Sequence, residues 1–294
     1  MNAPLLSQPC PDWATALCAG FAQIFLQRQP LCGVLCLLAI LLCAPTLLGG
    51  ALLGGLGGLI TAQRRDYPKA QRQAGLYSYN GILLGLLLSY HFEWSAMLPL
   101  LIIASAGVSS ILVHHWLKRA TSPYTAPFVG IGWILLFLEN PPASGFFHEH
   151  TITALTLIEG LLKGVAQVML LDHPLAGLLI VLGLWLSNWR AALWALAGSL
   201  AGLVCALLQQ EPHTALSGLA GYNPALAALA LSQQSRRIWL PLLGIIATLV
   251  ITPALIALGL PPLTAPFVLG CWLVLACLRL FVPSNKQSGL RIER

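Results

Sequence analysis

Charged side chains are absent from long apolar stretches of this chain, and these stretches determine its architecture. Runs without Lys, Arg, Asp or Glu cover residues 73–92, 94–117, 120–138, 191–210, 212–235 and 238–278. Most are close to the roughly 20 residues that a helix needs to cross about 30 Å of hydrocarbon. The pattern therefore predicts an all-α polytopic membrane protein.

Proline, glycine and charged residues divide these stretches into helices. We predict helices near residues 14–28, 31–44, 48–63, 80–92, 95–117 and 126–139, and then near 155–172, 174–187, 191–208, 223–234, 238–257 and 265–282. Pro30 breaks the first pair, which together makes one kinked crossing. Counted in this way, the chain has ten spans, five in each half.

The basic residues predict the orientation of these spans. With a cytoplasmic N-terminus, the cytoplasmic side carries Arg64, Arg65, Lys69, Arg72, Lys118, Arg119, Arg190, Arg236, Arg237, Arg279, Lys286, Arg291 and Arg294. The loops on the other side contain no Lys or Arg. Because cytoplasmic loops are enriched in these residues, we predict a multi-pass protein of the cell inner membrane with both termini in the cytoplasm.

Composition supports a bilayer as the surroundings and gives no sign of other partners. Only 8% of the residues are charged, against about 25% in soluble domains. The net charge of +6 is explained by the basic residues that set the orientation of the protein in the membrane, so no nucleic-acid partner is expected. The eight cysteines are scattered through apolar stretches without a CxxC pair, which is typical of small core residues and not of a disulfide framework or a zinc site. No cofactor and no metal are expected.

Three pairs of similar strings recur in the same order. Residues 20–33 and 164–177 share the pattern GxAQ…PLxG, 75–80 and 218–223 share GLxxYN, and 125–129 and 264–268 both read TAPFV. The offsets are 144, 143 and 139 residues, about half the chain. The strings therefore predict two repeats, residues 1–150 and 151–294.

An odd number of spans in each repeat makes the second copy enter the membrane from the opposite side. Repeats of this inverted topology place a substrate site near the bilayer midplane, at their interface. The stretch 73–92 must hold both a GLxxYN string and a full helix. We therefore expect a short re-entrant pore helix in each repeat, covered by protein or lining a cavity.

The repeated strings resemble the two halves of the urea transporter family over essentially the whole chain. The TxPF and GLxxYN pairs are the more specific, and GxxQ alone would be weak. The resemblance implies a homotrimer in which each protomer holds its own pore between its two halves. It also implies channel-like, passive conduction of urea without a coupling ion.

The resemblance further implies substrate-contacting residues shared equally between the halves. They are Gln23, Ile24, Tyr79, Leu83, Thr125, Gln167, Val168, Tyr222, Leu226 and Thr264. The glutamines would stand at the two ends of a filter, with the isoleucine and the valine beside them. Each tyrosine and the leucine four residues later would form a slot wall, and the threonines would face each other at the centre. Some relatives carry Phe at the tyrosine positions and Glu at Gln167, which leaves the width and polarity of the slots open.

Several of these residues have a simpler structural interpretation. An intramembrane glutamine often bonds a neighbouring helix, and a threonine often bonds a carbonyl four residues back in its own helix. Asn80 and Asn223 are expected to pin the broken helices rather than touch substrate. Glu159 and Lys163 are spaced to pair on one helix, whereas Arg28 and Asp172 occupy nearly equivalent places near a vestibule.

Other functions are less consistent with the sequence. A facilitator for ammonia or a short amide is the nearest alternative, and an ion-coupled symporter would need an acidic residue that the proposed filter positions do not contain. An enzyme would need a nucleophile, a metal cluster or paired acids, and none is recognisable. The loop residues His148, Glu149 and His150 are better explained as solvated than as a metal site.

Overall fold

A computed structural model describes residues 12–119, 121–137 and 152–281 of the protein. Within these ranges the regular structure is helical and contains no strand. The first half forms α1 (Asp12–Gln23), α2 (Pro30–Cys43), α3 (Pro45–Arg64), α4 (Lys69–Gln73), α5 (Tyr79–His91), α6 (Met97–Leu117) and α7 (Ala126–Leu136). The second half forms α8 (Ala154–Ala166), a 3-10 turn (Gln167–Met169), α9 (Pro174–Leu208), α10 (Pro212–Leu216), α11 (Tyr222–Gln234), α12 (Trp239–Ala257) and α13 (Ala265–Phe281).

Length and hydropathy identify an integral membrane protein. Among the described residues, α3, α6, α9 and α12 are long and apolar enough to cross a bilayer, and α2, α7 and α13 are shorter apolar helices. Large apolar side chains such as Met97 and Val250 are mostly exposed on the outside of the bundle. The prediction of an all-α membrane protein is confirmed, while the count of ten spans stays a prediction.

The first helix of each half ends earlier than its sequence suggested. We predicted helix to residue 28, but α1 ends at Gln23. Leu26 takes a left-handed conformation with φ 56°, and the amide of Gln27 donates to the carbonyl of Ala22 at 3.1 Å. This is the hydrogen bonding of a Schellman helix end, in which glycine is the usual residue. Leu170, with φ 59°, closes the 3-10 turn after α8 in the same way.

One predicted break lies inside α9. Asn188 has φ −159° and ψ 98°, so α9 consists of two helices that meet at this residue. The Asn188 side-chain oxygen accepts hydrogen bonds from the amides of Arg190 and Ala191, at 3.2 and 3.4 Å. Asn188 therefore caps the second of these helices. Ala44, 144 residues earlier, has φ −150° and ψ 63° and separates α2 from α3.

Glycine lets α5 pack directly on the backbone of α3. A Cβ atom on Gly54 would lie 1.9 Å from the carbonyl oxygen of Gly81, and one on Gly85 would lie 1.9 Å from that of Gly50. Only a residue without a side chain fits at this separation. Ten consecutive residues of α5, from Tyr79 onward, are buried as a result.

The second half contains the same kind of contact between α9 and the start of α11 with the turn before it. A Cβ atom on Gly198 would lie 2.4 Å from the carbonyl oxygen of Pro224. One on Gly202 would lie 2.1 Å from that of Ala220. The first residues of α5 and α11 are thus fixed deep inside the protein by their close packing.

Several contacts bring predicted cytoplasmic segments to one end of the molecule. Asp12 at the start of α1 forms an ion pair with Lys69 of α4, at 3.0 Å. The rings of Tyr67 and His114 stack with centroids 3.7 Å apart, which joins the loop after α3 to the last turn of α6.

Candidate functional site

Two buried threonines from different halves touch at the start of two short helices. Thr125 directly precedes α7 and Thr264 directly precedes α13. Their hydroxyl oxygens lie 2.6 Å apart, and the two residues are 2% and 3% exposed. The TAPFV strings therefore meet each other, and they place two hydroxyl groups at one point.

Asn80 and Asn223 hold the first turns of these two helices. The side-chain oxygen of Asn80 accepts a hydrogen bond from the amide of Phe128, and that of Asn223 accepts one from the amide of Phe267, both at 3.2 Å. The Asn223 side chain also donates to the carbonyl of Leu263, at 2.9 Å. The predicted structural role takes the form of bonds to α7 and α13 rather than bonds within the helices that carry the asparagines.

The candidate wall residues lie in one apolar cluster. Its buried members include Ile24, Tyr79, Leu83, Val168 and Leu226, with exposures of 1–3%, and Tyr222 packs against them. Since these residues come from both halves, the cluster lies where the halves meet.

The two tyrosines have different surroundings. The hydroxyl of Tyr79 donates to the carbonyl of Tyr124, which is the residue before Thr125. This bond ties the phenol of Tyr79 to the backbone. Tyr222 is only half-buried.

The two candidate glutamines are half-buried near the ends of their helices. Gln23 is the last residue of α1. The side-chain nitrogen of Gln167 donates to the carbonyl of Ser217 at 3.0 Å, which ties the end of α8 to the turn before α11. Gln167 thus makes a bond of the kind that the simpler interpretation describes, while its contact with substrate stays a prediction.

A third glutamine joins the halves without any repeat signal to reveal it. Gln27 is 5% exposed, and its side-chain oxygen accepts a hydrogen bond from the hydroxyl of Ser187 at 3.0 Å. Its nitrogen donates to the carbonyl of Phe25, also at 3.0 Å. The repeat counterpart of Gln27 is Leu171, so the matching strings did not draw attention to it.

Two tryptophans that the sequence analysis did not select also join the halves. The indole nitrogen of Trp133 donates to the carbonyl of Pro261 at 2.8 Å. That of Trp272 donates to the carbonyl of Ser122 at 2.9 Å. A sequence signal existed, because Trp133 and Trp272 each follow a TAPFV string at the same distance.

The intramembrane charges pair differently from the prediction. Lys163 forms an ion pair with Asp172 at 3.0 Å, rather than with Glu159 on its own helix. The left-handed turn at Leu170 reverses the chain and brings Asp172 back beside α8. In the part of the chain that the structure describes, no three His, Cys, Asp or Glu residues are grouped as metal ligands. The His148 cluster lies outside the described residues.

The sequence model of the family described as "Urea transporter" matches residues 14–279. The chain belongs to the urea transporter family. This is a family of membrane transport proteins and not of enzymes, so both the resemblance and the prediction of a non-enzyme are confirmed.

Named members of the urea transporter family are similar over most of this chain. Urea transporter 1 of Ovis aries is 26% identical, over 90% of this chain and 76% of the relative. Urea transporter 1 of Capra hircus is 27% identical over the same shares. Urea transporter 1 of Rattus norvegicus is 27% identical, over 75% of this chain and 62% of its own length.

Proposed function

We propose that this protein conducts urea passively across the cytoplasmic membrane, along a narrow path between its two halves. The contact between Thr125 and Thr264 carries the proposal, because two helices from different halves begin there with their hydroxyls 2.6 Å apart. Apolar side chains from both halves surround the same region. A flat, neutral and polar solute suits a path with few hydrogen-bonding groups and apolar walls.

We infer that residues 1–150 and 151–294 are inverted repeats. The backbone supports this inference, because residues with positive φ recur at offsets of 139–144. The pairs are Leu26 and Leu170 (56° and 59°), Asp66 and Gln210 (53° and 61°), Gly75 and Gly218 (74° and 79°), and Tyr124 and Leu263 (44° and 43°). The short helices α4 and α10, of five residues each, precede α5 and α11 in the same way, and the turns at residues 75–78 and 218–221 that follow them are candidates for the re-entrant segments.

In this arrangement both termini lie in the cytoplasm. The ion pair of Asp12 with Lys69 and the stacking of Tyr67 on His114 support a common end for α1, α4 and α6. That end also carries Arg64 and Arg65, which follow the positive-inside rule if it faces the cytoplasm.

The threonine pair matches the hydrogen bonding of urea. When one hydroxyl donates to the other, the accepting hydroxyl keeps its own proton and can donate it to the urea oxygen. The lone pairs of the donating hydroxyl can accept an N–H of urea. A buried polar group left without a partner costs about 1–3 kcal/mol, so these contacts lower the barrier for the solute. Gln23 and Gln167 add amide groups on the approaches.

The apolar cluster around the threonine pair also disfavours the passage of ions. An ion that enters the apolar cluster loses its hydration, at a cost far above that for a neutral amide. The ten candidate residues include no carboxylate to hold a coupling cation. Passive movement down a urea gradient is therefore the mechanism that these residues favour.

A homotrimer is consistent with this mechanism, since each protomer holds a complete path. The mass of the purified protein in detergent, measured by light scattering, tests the trimer. A monomer with full urea flux would remove the trimer from the proposal without affecting the path.

Flux into liposomes tests the function. Purified protein is reconstituted, and reswelling after a urea jump is followed by stopped-flow light scattering beside empty liposomes. We expect faster urea entry that needs no ion gradient. Folded protein without acceleration would overturn the proposal. Acceleration only for ammonia or a short amide would favour the neighbouring substrates, and accumulation driven by H⁺ or Na⁺ would identify a symporter.

A further inference from the structure

The indole hydrogen bonds of Trp133 and Trp272 are reciprocal. Trp133 on α7 donates to the carbonyl of Pro261, and Trp272 on α13 donates to that of Ser122. Pro261 stands three residues before Thr264, and Ser122 stands three residues before Thr125. Each tryptophan therefore holds the chain that leads to the other half's threonine.

The segments held in this way need external support. Tyr124 and Leu263, directly before the two threonines, have φ of 44° and 43°. This left-handed conformation is unfavourable for residues with a side chain and persists only where the surroundings enforce it. The asparagines supply part of that support, but each acts on the helix of its own half. The distance between the threonines depends on contacts that cross between the halves, and beside the ring contact of Tyr124 with Phe267 the two indole bonds are such contacts.

We propose that Trp133 and Trp272 are positioning residues that set the separation of Thr125 and Thr264, and thereby the size of solute that can pass between them. The inference rests on the proposed function for its readout in flux. Its structural part, the separation of the two threonines, stands independently of the solute.

The two tryptophans are not equally supported by other contacts. The ring of Trp272 stacks on Trp116 with centroids 5.2 Å apart. Trp116 also donates to the hydroxyl of Thr121 at 3.3 Å, and Arg119 lies over its ring at 5.7 Å. Among the described residues, Trp133 has no comparable ring partner. Loss of the indole N–H should therefore matter more at Trp133 than at Trp272.

Replacement of tryptophan by phenylalanine removes the N–H and keeps an aromatic ring. W133F, W272F and the double variant are compared with W185F, which changes an exposed tryptophan on α9. The measurement is the ratio of N-methylurea flux to urea flux in liposomes, together with the melting temperature. We expect the ratio to rise at least threefold in W133F, less in W272F and most in the double variant, with no change in W185F. An unchanged ratio in all four folded proteins would overturn the proposal.

Cross-linking provides a readout that does not depend on transport. In a T125C/T264C protein, the disulfide that joins these positions is quantified by mass spectrometry of the digested chain. When the T125C/T264C protein also carries W133F, this disulfide should form at least threefold more slowly. W185F in the same background should not change the rate. Slower cross-linking without urea flux in the unmodified protein would reject the urea path and keep the positioning role. Urea flux with unchanged ratio and unchanged cross-linking would reject the positioning role alone.

Discussion

The hydroxyl of Thr125 lies 2.6 Å from the hydroxyl of Thr264, a residue 139 positions later in the chain. Each threonine directly precedes a helix whose first turn is held by an asparagine of the same half. The contact thus joins two separately anchored helix starts. Its chemistry, its anchors and its packing can be tested one at a time.

Removal of the hydroxyl of either Thr125 or Thr264 should lower the urea flux. Thr125→Val and Thr264→Val keep the shape of the side chain and delete one hydrogen bond, worth about 0.5–1.5 kcal/mol. We expect urea flux to fall roughly two- to tenfold in each, because a tenfold change in rate corresponds to about 1.4 kcal/mol. Flux is measured in liposomes with Thr252→Val as the control, since Thr252 bonds a carbonyl of its own helix. Full flux in both single variants and the double variant would mean that the threonines only support the helices.

The asparagines should matter for stability. Asn80→Ala leaves the buried amide of Phe128 without its acceptor, and Asn223→Ala does the same to Phe267. We expect each change to lower the free energy of unfolding by about 1–3 kcal/mol. Melting temperatures of the purified variants measure the effect, with the exposed Gln209→Ala as the control. Melting temperatures equal to that of the control would show that these bonds contribute little.

The glycine contact between α3 and α5 should tolerate no side chain. In Gly54→Ala the new methyl group would lie 1.9 Å from the carbonyl oxygen of Gly81, so the helices must separate. We expect little folded protein by size-exclusion chromatography. Gly130→Ala is the matched control, because no heavy atom lies within 4 Å of its added Cβ. Similar yields of the two variants would contradict the close packing described here.

Two exposed helix ends offer a gain in stability. Asp66 and Gln210 have φ of 53° and 61° at exposed positions, where glycine has no steric penalty. Asp66→Gly and Gln210→Gly should each raise the free energy of unfolding by about 0.5–1 kcal/mol, with urea flux unchanged. Gly259→Ala, at φ 71° in open space, should have the opposite effect. A lower melting temperature in both glycine variants would show that their side chains make stabilising contacts.

Much of the helical layout could be predicted because its signals are local. Charge-free runs located the helices, and the break in α9 lies between two helices that were predicted separately. The early ends of α1 and α8 were missed because Leu26 and Leu170 carry no sequence mark of a left-handed residue. Pro30 and Pro174 drew attention to a later point in the chain.

The candidate site was predictable where it repeats. The TAPFV and GLxxYN strings indicated the threonines and asparagines, whose contacts recur in both halves. The bond of Gln27 to Ser187 has no repeat partner, and the carbonyls that accept from the tryptophans leave no trace in residue type. Such long-range contacts depend on how the halves pack, which local patterns do not encode.

The bond between Trp272 and Ser122 also constrains the order in which the protein folds during its synthesis. Its two residues are 150 positions apart, and Trp272 is made after Ser122. The first half therefore enters the membrane with the segment before Thr125 still lacking its anchor, since domains generally fold in order as they emerge from the ribosome. A nascent chain that stalls before residue 272 leaves this segment without its anchor, so the centre of the protein can close only after residue 272 has been made.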